Sequence, residues 1–339
     1  MRVGMAGLAA LYWPICMANG LMKHGNVEFT AAATLGENEE YIGKILGMTA
    51  QEYAVNYGVR LYTHAEEMIE KERLDCIVLI SRHSKHADWV ERLAPAGVKI
   101  FIPKTFATAE EEAGRIIAAE RKYGIQVASG PTARFIPQIA TVKKAVDDGR
   151  IGKPFAARIC HHHGTMDCFH PDDWYRLPAE GGPELSLAWY GIDLILQFLG
   201  EDPGRVSAAY GSYTTAGSPF MDCGRLEMIT KDGAQAQFDM YFCNRVAYPS
   251  WQMEILGPKG VLSIHRTGND GCRTIVGYDG PNGYEELPIL DDIPDWEHFW
   301  IDDFAKGRVP PITAEYAGLV TRISLAARES ALAVRGTII

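Results

Sequence analysis

Short apolar runs alternate with amphipathic stretches through the first 130 residues. Residues 3–6 form a strand-like run that ends at Gly7, and residues 14–24 follow with helical character. Residues 27–34, rich in β-branched and small side chains, predict a second strand. Residues 39–57 predict a helix and residues 59–62 a short strand. Next come a helix over 65–71, a continuous apolar strand over 76–80, a helix over 87–96 and a strand over 99–102. Residues 109–123 read as a charged amphipathic helix with Thr108 as its N-cap. A strand over 126–128 follows. Strands that alternate with helices predict βαβ units and a parallel sheet covered on both faces.

The pattern changes near Ile151-Gly152-Lys153-Pro154. Beyond it lie longer alternating runs at 155–163, 205–214, 225–229, 234–242, 251–256, 260–265 and 273–278. Turn sequences such as Lys231-Asp232-Gly233 and Gly257-Pro258-Lys259-Gly260 separate several of them, as in a mostly antiparallel sheet. One helix, over 184–198, interrupts the strands, and another, over 314–334, closes the chain. The predicted fold class is α/β: an N-terminal doubly wound parallel sheet, then an α+β domain with an open, mostly antiparallel sheet. The division expected is 1–128 and 129–339, with the last helix placed to pack back on the first domain. A length of 339 residues suits two domains.

Composition narrows the function classes. Hydrophobic residues make up 47% and charged residues 22%, which argues for a packed globular chain. The net charge is −10 and no run of Lys or Arg occurs, which argues against a nucleic-acid partner or a basic membrane-surface helix. No apolar run reaches the roughly 18 residues of a membrane span. The seven cysteines are scattered without a C-x-x-C, the pattern of reduced thiols in a cytoplasmic protein. The first residues read as a strand entering a turn, and not as a signal peptide.

The strand that ends at Gly7 is followed by Leu8-Ala9-Ala10-Leu11-Tyr12, where a Rossmann G-x-G-x-x-G loop would sit. Such a loop needs one glycine for the tight turn, one for approach to the pyrophosphate and one for helix–strand packing. Gly7 meets the first need, Ala9 adds one methyl at the second, and Tyr12 is bulky at the third. The ribose-binding acid belongs at the end of the second strand, where Thr34 stands, followed by Leu35, Gly36 and Glu37. No arginine follows to hold a 2′-phosphate, so NAD is the expected cofactor, although Thr34 leaves room for NADP.

Five further segments extend this reading. Ser81-Arg82-His83-Ser84-Lys85-His86-Ala87 is similar to T-P-N-x-x-H-A, and Pro103-Lys104-Thr105 stands in the place of E-K-P. Gly130-Pro131-Thr132-Ala133-Arg134-Phe135-Ile136-Pro137 is similar to G-x-x-x-R-F-x-P. Gly181-Gly182 through Asp193-Leu194 forms the fourth, and Glu254-Ile255-Leu256-Gly257-Pro258-Lys259-Gly260, similar to E-I-x-G-x-x-G, the fifth. In this order and spacing they resemble the Gfo/Idh/MocA family of NAD(P)-dependent oxidoreductases over nearly the whole chain. The resemblance implies a Rossmann domain, a substrate-binding α+β domain and burial of its outer sheet face in a homodimer or homotetramer. It also implies hydride exchange with a hydroxyl-bearing carbon of a sugar, inositol or related polyol.

The resemblance assigns roles by position. Lys104 matches the catalytic lysine of E-K-P, with Pro103 and Thr105 as departures. The family's helix carries D-x-x-x-H, and those positions are Ser186 and Tyr190 here. Some branches, such as glucose–fructose oxidoreductase, have tyrosine there, so Tyr190 is the implied proton shuttle and Ser186 a hydrogen-bonding partner. Ser84, His86 and Thr132 join Gly7, Ala9 and Thr34 as cofactor-binding positions, and Arg134 braces the domain junction. Asp173-Trp174-Tyr175-Arg176 resembles a D-W-R segment of the pocket, which makes Asp173 and Arg176 substrate-binding positions.

His161-His162-His163, with Asp167, His170, Asp172 and Asp173 after it, leaves three readings open. On a strand His161 and His163 share one face. They could bind sugar hydroxyls, with His163 foremost. They could instead hold a divalent metal together with His170, as a lyase, isomerase or hydrolase would need. Exposed or structural histidines are the third reading. The alternative function that uses the His161, His163 and His170 cluster is such a metal-assisted enzyme or a non-catalytic sugar-binding relative. The stretch Trp296-Glu297-His298-Phe299-Trp300 reads as core.

Overall fold

The computed structural model describes residues 1–164, 169–214, 220–244, 251–267 and 273–335. Two compact units divide the chain. One comprises Met1–Pro131, Phe169–Gly181 and Glu297–Arg322, and the other Thr132–Cys168, Gly182–Trp296 and Ile323–Ile339.

The first unit holds a six-stranded parallel sheet. Its strands are β1 (Arg2–Ala6), β2 (Glu28–Ala33), β3 (Arg60–Tyr62), β4 (Cys76–Leu79), β5 (Lys99–Pro103) and β6 (Val127–Gly130), in spatial order β3-β2-β1-β4-β5-β6. The helices between them are α1 (Trp13–Lys23), α2 (Glu39–Leu46), α3 (Ala50–Tyr57), α4 (Ala65–Glu72), α5 (His86–Leu93) and α6 (Glu110–Tyr123). Strand β4, and β1 beyond its first residue Arg2, are apolar and buried, as expected of a sheet covered on both faces.

Two local expectations shift. The single helix over 39–57 is two helices. Gly47 ends α2 with φ of 82°, and Thr49 starts α3 by a capping box with Glu52. The N-cap of α6 is Ala109 rather than Thr108. The Glu112 carboxylate supplies the missing acceptor, taking N–H groups of Thr108 and Ala109 at 2.8 and 3.1 Å.

The second unit holds an eight-stranded sheet: β7 (Ala156–Gly164), β8 (Pro203–Gly211), β9 (Cys223–Thr230), β10 (Gln235–Asn244), β11 (Trp251–Gly257), β12 (Gly260–Thr267), β13 (Arg273–Gly280) and β14 (Gly283–Leu287). The order is β14-β13-β12-β11-β7-β10-β9-β8, antiparallel except where β10 runs parallel to β7. Helix α7 (Pro137–Asp147) packs on β12 and β13. The helix expected over 184–198 is two, α8 (Gly182–Ser186) and α9 (Ala188–Leu199), the latter packed on β7 and β10. Helices α10 (Trp300–Ala305) and α11 (Ala314–Arg335) complete the chain.

Burial alternates along β7. Ala157, Ile159 and His161 face the core while Arg158, Cys160 and His162 face outward. The outward face is polar, with ion pairs Arg158–Glu254 and Arg225–Asp239. Phe299 and Trp300 are buried, and Trp300 stacks on Phe101 at 4.3 Å, so this part of the aromatic stretch is core. Cys16, Cys76, Cys160 and Cys223 form no disulfide. Among the described residues no helix is long and apolar enough to cross a membrane.

Candidate active site

Strands β1, β2 and β4 end side by side, and the connections that leave them diverge. Open parallel sheets bind ligands at this kind of switch point. A cleft of about 230 Å³ lies there, with Gly7, Ala9, Thr34, Glu37, Arg82 and Trp174 in its lining. Gly7 has φ of 103°, and a Cβ on it would stand 1.6 Å from the Ile80 carbonyl oxygen. Only glycine lets the loop pass β4 this closely. Ala9 is buried, and its carbonyl accepts the Trp174 indole N–H at 2.6 Å. Tyr12, the bulky residue of the loop, is 40% exposed and stays out of the helix–strand contact. The Thr34 N–H donates to Tyr62 O at 2.9 Å. Glu37 and Arg82 make no ion pair among the described residues, so each offers its charge to the cleft.

Lys104 follows the last residue of β5, and its N–H donates to Gly130 O at 2.5 Å. Its side chain is buried, and that burial pushes the ammonium down to about 7. An amine that titrates near neutrality can take or give a proton, which an ordinary lysine cannot do at that pH. His86 is buried, with Nδ1 at 3.0 Å from Phe106 O, and burial lowers it to about 4, so the ring is neutral. Ser84 lies against Glu180, which accepts its N–H and its Oγ–H, each at 3.0 Å.

The segment Phe169–Gly181 belongs to this unit. Asp173 is buried, and one oxygen accepts the Tyr175 N–H at 2.9 Å. Its other oxygen has no hydrogen-bond partner among the described residues, and burial raises the carboxyl's pKa. Arg176 Nε donates to Phe169 O at 3.3 Å, and His170 Nδ1 accepts the Asp172 N–H at 3.1 Å. Asp167 lies outside the described residues.

In the second unit an aromatic wall forms over the inner face of β7. His161 stacks on Trp251 at 3.9 Å and meets Tyr190 edge-on at 5.7 Å. Trp296 lies 6.3 Å from Tyr190, and His163 lies beside Phe242 at 5.0 Å. The Ser186 hydroxyl is buried with no hydrogen-bond partner among the described residues. Thr132 and Arg134 both serve Asp193: Thr132 Oγ1 donates at 2.5 Å and Arg134 Nε at 2.8 Å. Among the described residues of this unit no third His, Cys or acid joins His161 and His163 closely enough to hold a metal. The group that does cluster, Cys16, Glu297 and His298, is in the first unit with ligand atoms within 4.8 Å.

Comparison with known proteins decides the family. Residues 23–130 match the model of the oxidoreductase family with an NAD-binding Rossmann fold, and residues 139–263 match the GFO/IDH/MocA C-terminal domain. The chain belongs to the Gfo/Idh/MocA family. It is 27% identical over 288 residues to a D-apiose dehydrogenase of Paraburkholderia graminis, covering 80% of this chain and 75% of that protein. It is 24% identical to a dTDP-3,4-didehydro-2,6-dideoxy-alpha-D-glucose 3-reductase of Streptomyces violaceoruber, covering 86% and 81%. An Agrobacterium radiobacter oxidoreductase, solved with NAD+, L-tartaric acid and magnesium, shares the fold with a TM-score of 0.82 at 17% identity, covering 98% and 96%.

The Gfo/Idh/MocA cofactor fits the cleft of the first unit. The Gly7 turn leaves room where a Cβ could not stand, and the cleft carries Glu37 and Arg82, neither in an ion pair among the described residues. Glu37, Arg82 and Glu180 were not evident as site residues from sequence. Glu37 lies three residues past the expected acid position, and Glu180 reaches Ser84 across a separation of 96 residues.

Proposed function

We propose that this Gfo/Idh/MocA member is an NAD-dependent dehydrogenase of a sugar, inositol or related polyol. The observation that carries the reading is Lys104, buried just past the carboxyl end of β5, where burial pushes its ammonium down to about 7. The two relatives, named as a dehydrogenase and a reductase of sugar-type substrates, support it. Residues 1–128 are assigned chiefly to the cofactor and residues 129–339 chiefly to the substrate, with Trp174 of the second stretch lining the nucleotide cleft and Thr132 assigned as a cofactor position.

Gly7, Ala9 and Thr34 hold the nucleotide, with Ser84, His86 and Thr132 completing its surroundings. Glu37 offers a carboxylate to the ribose diol and would repel a 2′-phosphate, so NAD is the cofactor assigned. When bound, the nicotinamide supplies hydride transfer. Lys104 in its neutral form is assigned to take the proton of the substrate hydroxyl, and Tyr190 is the second proton-handling residue assigned. His163, Asp173, Arg176 and Ser186 bind the remaining oxygens. Asp173 and Ser186 each bring a buried oxygen without a hydrogen-bond partner among the described residues, and a ligand hydroxyl answers that need.

Tyr190→Phe keeps the ring against His161 and Trp296 and removes only the hydroxyl. Polyol oxidation, followed by the absorbance of reduced nicotinamide, is expected to fall about a hundredfold with an unchanged melting temperature. Undiminished turnover would remove Tyr190 from the proton path. We assign the outer face of the eight-stranded sheet to a homodimer or homotetramer interface in a cytoplasmic enzyme. A monomeric mass by light scattering would contradict that assembly.

A further inference from the structure

His83 and Thr105 both depart from the motifs in which they stand. His83 occupies the asparagine position of T-P-N-x-x-H-A, and Thr105 the proline position after Lys104. The two departures touch: the Thr105 N–H donates to His83 Nε2 at 3.3 Å. Proline has no N–H to give, and asparagine has no atom as far out as Nε2 to receive it.

The imidazole is fixed for this task. Its Nδ1 lies 2.8 Å from the Glu180 carbonyl oxygen. A carbonyl only accepts, so Nδ1 carries the proton and Nε2 keeps its lone pair for Thr105. Burial drives His83 down to about 3, which keeps it neutral. Trp174 and Tyr175 meet the ring edge-on at 4.9 and 5.3 Å, and His86 lies at 5.7 Å. Glu180 is itself held by Ser84. Among the described residues the titratable groups set against His83 are His86, Tyr175 and Lys104, while Glu180 meets it through its backbone carbonyl. Around Lys104 the backbone is held on both sides, by Gly130 at its own N–H and by His83 and His86 at Thr105 and Phe106.

We propose that His83 and Thr105 form a coupled pair that positions Lys104, in place of the asparagine and proline of the matching motifs. Both are positioning residues. The inference rests on the reading of Lys104 as the proton-handling group. In the His83→Asn variant the buried Thr105 N–H loses its acceptor, and the peptide turns toward water, carrying the amine with it. In the Thr105→Pro variant the His83 lone pair loses its donor. Together the two substitutions remove donor and acceptor at once.

The test is a double-mutant cycle read in nucleotide-free protein. The pH midpoint of Lys104 acetylation by acetic anhydride is followed by peptide mass spectrometry, with melting temperature alongside. Each single variant is expected to raise the midpoint by about one unit or more, and the double variant to return it to within about half a unit of wild type. Shifts that simply add, or a midpoint unmoved in both single variants, would overturn the pair. If a single variant does not fold, His83→Gln serves, because its amide oxygen can reach the Thr105 N–H. It is expected to keep the wild-type midpoint, and a raised midpoint would count against the pair. The readout needs no turnover, so it stands apart from the catalytic reading, which fails separately if Lys104→Met leaves turnover unchanged.

Discussion

Lys104→Met is expected to lower turnover about a thousandfold while leaving the fold intact. Methionine matches the length of the lysine stem and fills the same buried space without an amine. Stability moves in the opposite direction to activity. Burial depresses the folded-state value to about 7, whereas an unfolded lysine titrates near about 10.4. Between those values the unfolded chain binds more protons, so wild-type stability rises with pH across that window. Below about 7 the cost of burying the ammonium is complete. Removing the amine therefore makes the variant at least as stable as wild type at acidic pH, by calorimetry. Wild-type oxidation rates should rise through the same value as Lys104 loses its proton. A variant that unfolds, or a flat pH profile, would contradict this placement of the amine.

Gly7→Ala is the second large effect. The added Cβ would stand 1.6 Å from the Ile80 carbonyl oxygen and 2.7 Å from its carbon, on a backbone at φ of 103°. Both atoms belong to the backbone just after β4, so no side-chain rotation relieves the clash, and the turn must move away from β4. The expected cost is about 2–4 kcal/mol, with nucleotide binding lost. Gly36→Ala is the control, because it shares a positive φ of 83° but has nothing within 4 Å of the added atom. It should cost only about 1 kcal/mol and keep nucleotide affinity. Denaturant unfolding of the two variants separates crowding from backbone preference; equal costs would refute the close approach.

How much of this was legible in the sequence follows from the range of each interaction. Apolar runs and turn residues mark strands and short connections locally, so the βαβ alternation and most of the second sheet could be read. Helix α7 escaped because Pro137 opens it inside a segment read as a motif, although buried Ile139, Val142 and Ala145 keep helical spacing. Strand β14 escaped for the opposite reason. Gly283, Tyr284, Glu285 and Glu286 are all exposed at the sheet edge, so no alternation of buried and exposed side chains betrays it. The parallel pairing of β7 with β10 is a property of topology that neither strand's composition encodes.

The site divides the same way. Gly7 and Lys104 directly follow the ends of β1 and β5, so their places can be read from the strand pattern. The contact of His83 with Glu180 spans 97 residues and that of Trp174 with Ala9 spans 165. Such contacts exist only once the segment Phe169–Gly181 is packed in the first unit. Glu37 was visible as a residue but not as a cleft group, since two turn residues, Leu35 at φ of 57° and Gly36 at 83°, bring it to the cleft.

The central claim is that the Gly7 cleft takes a nicotinamide dinucleotide despite its incomplete glycine loop. Calorimetric titration of the purified, nucleotide-stripped protein with NAD and NADP tests it most directly. One NAD per chain, bound at least about tenfold more tightly than NADP, is the predicted result. No binding of either nucleotide would contradict the account.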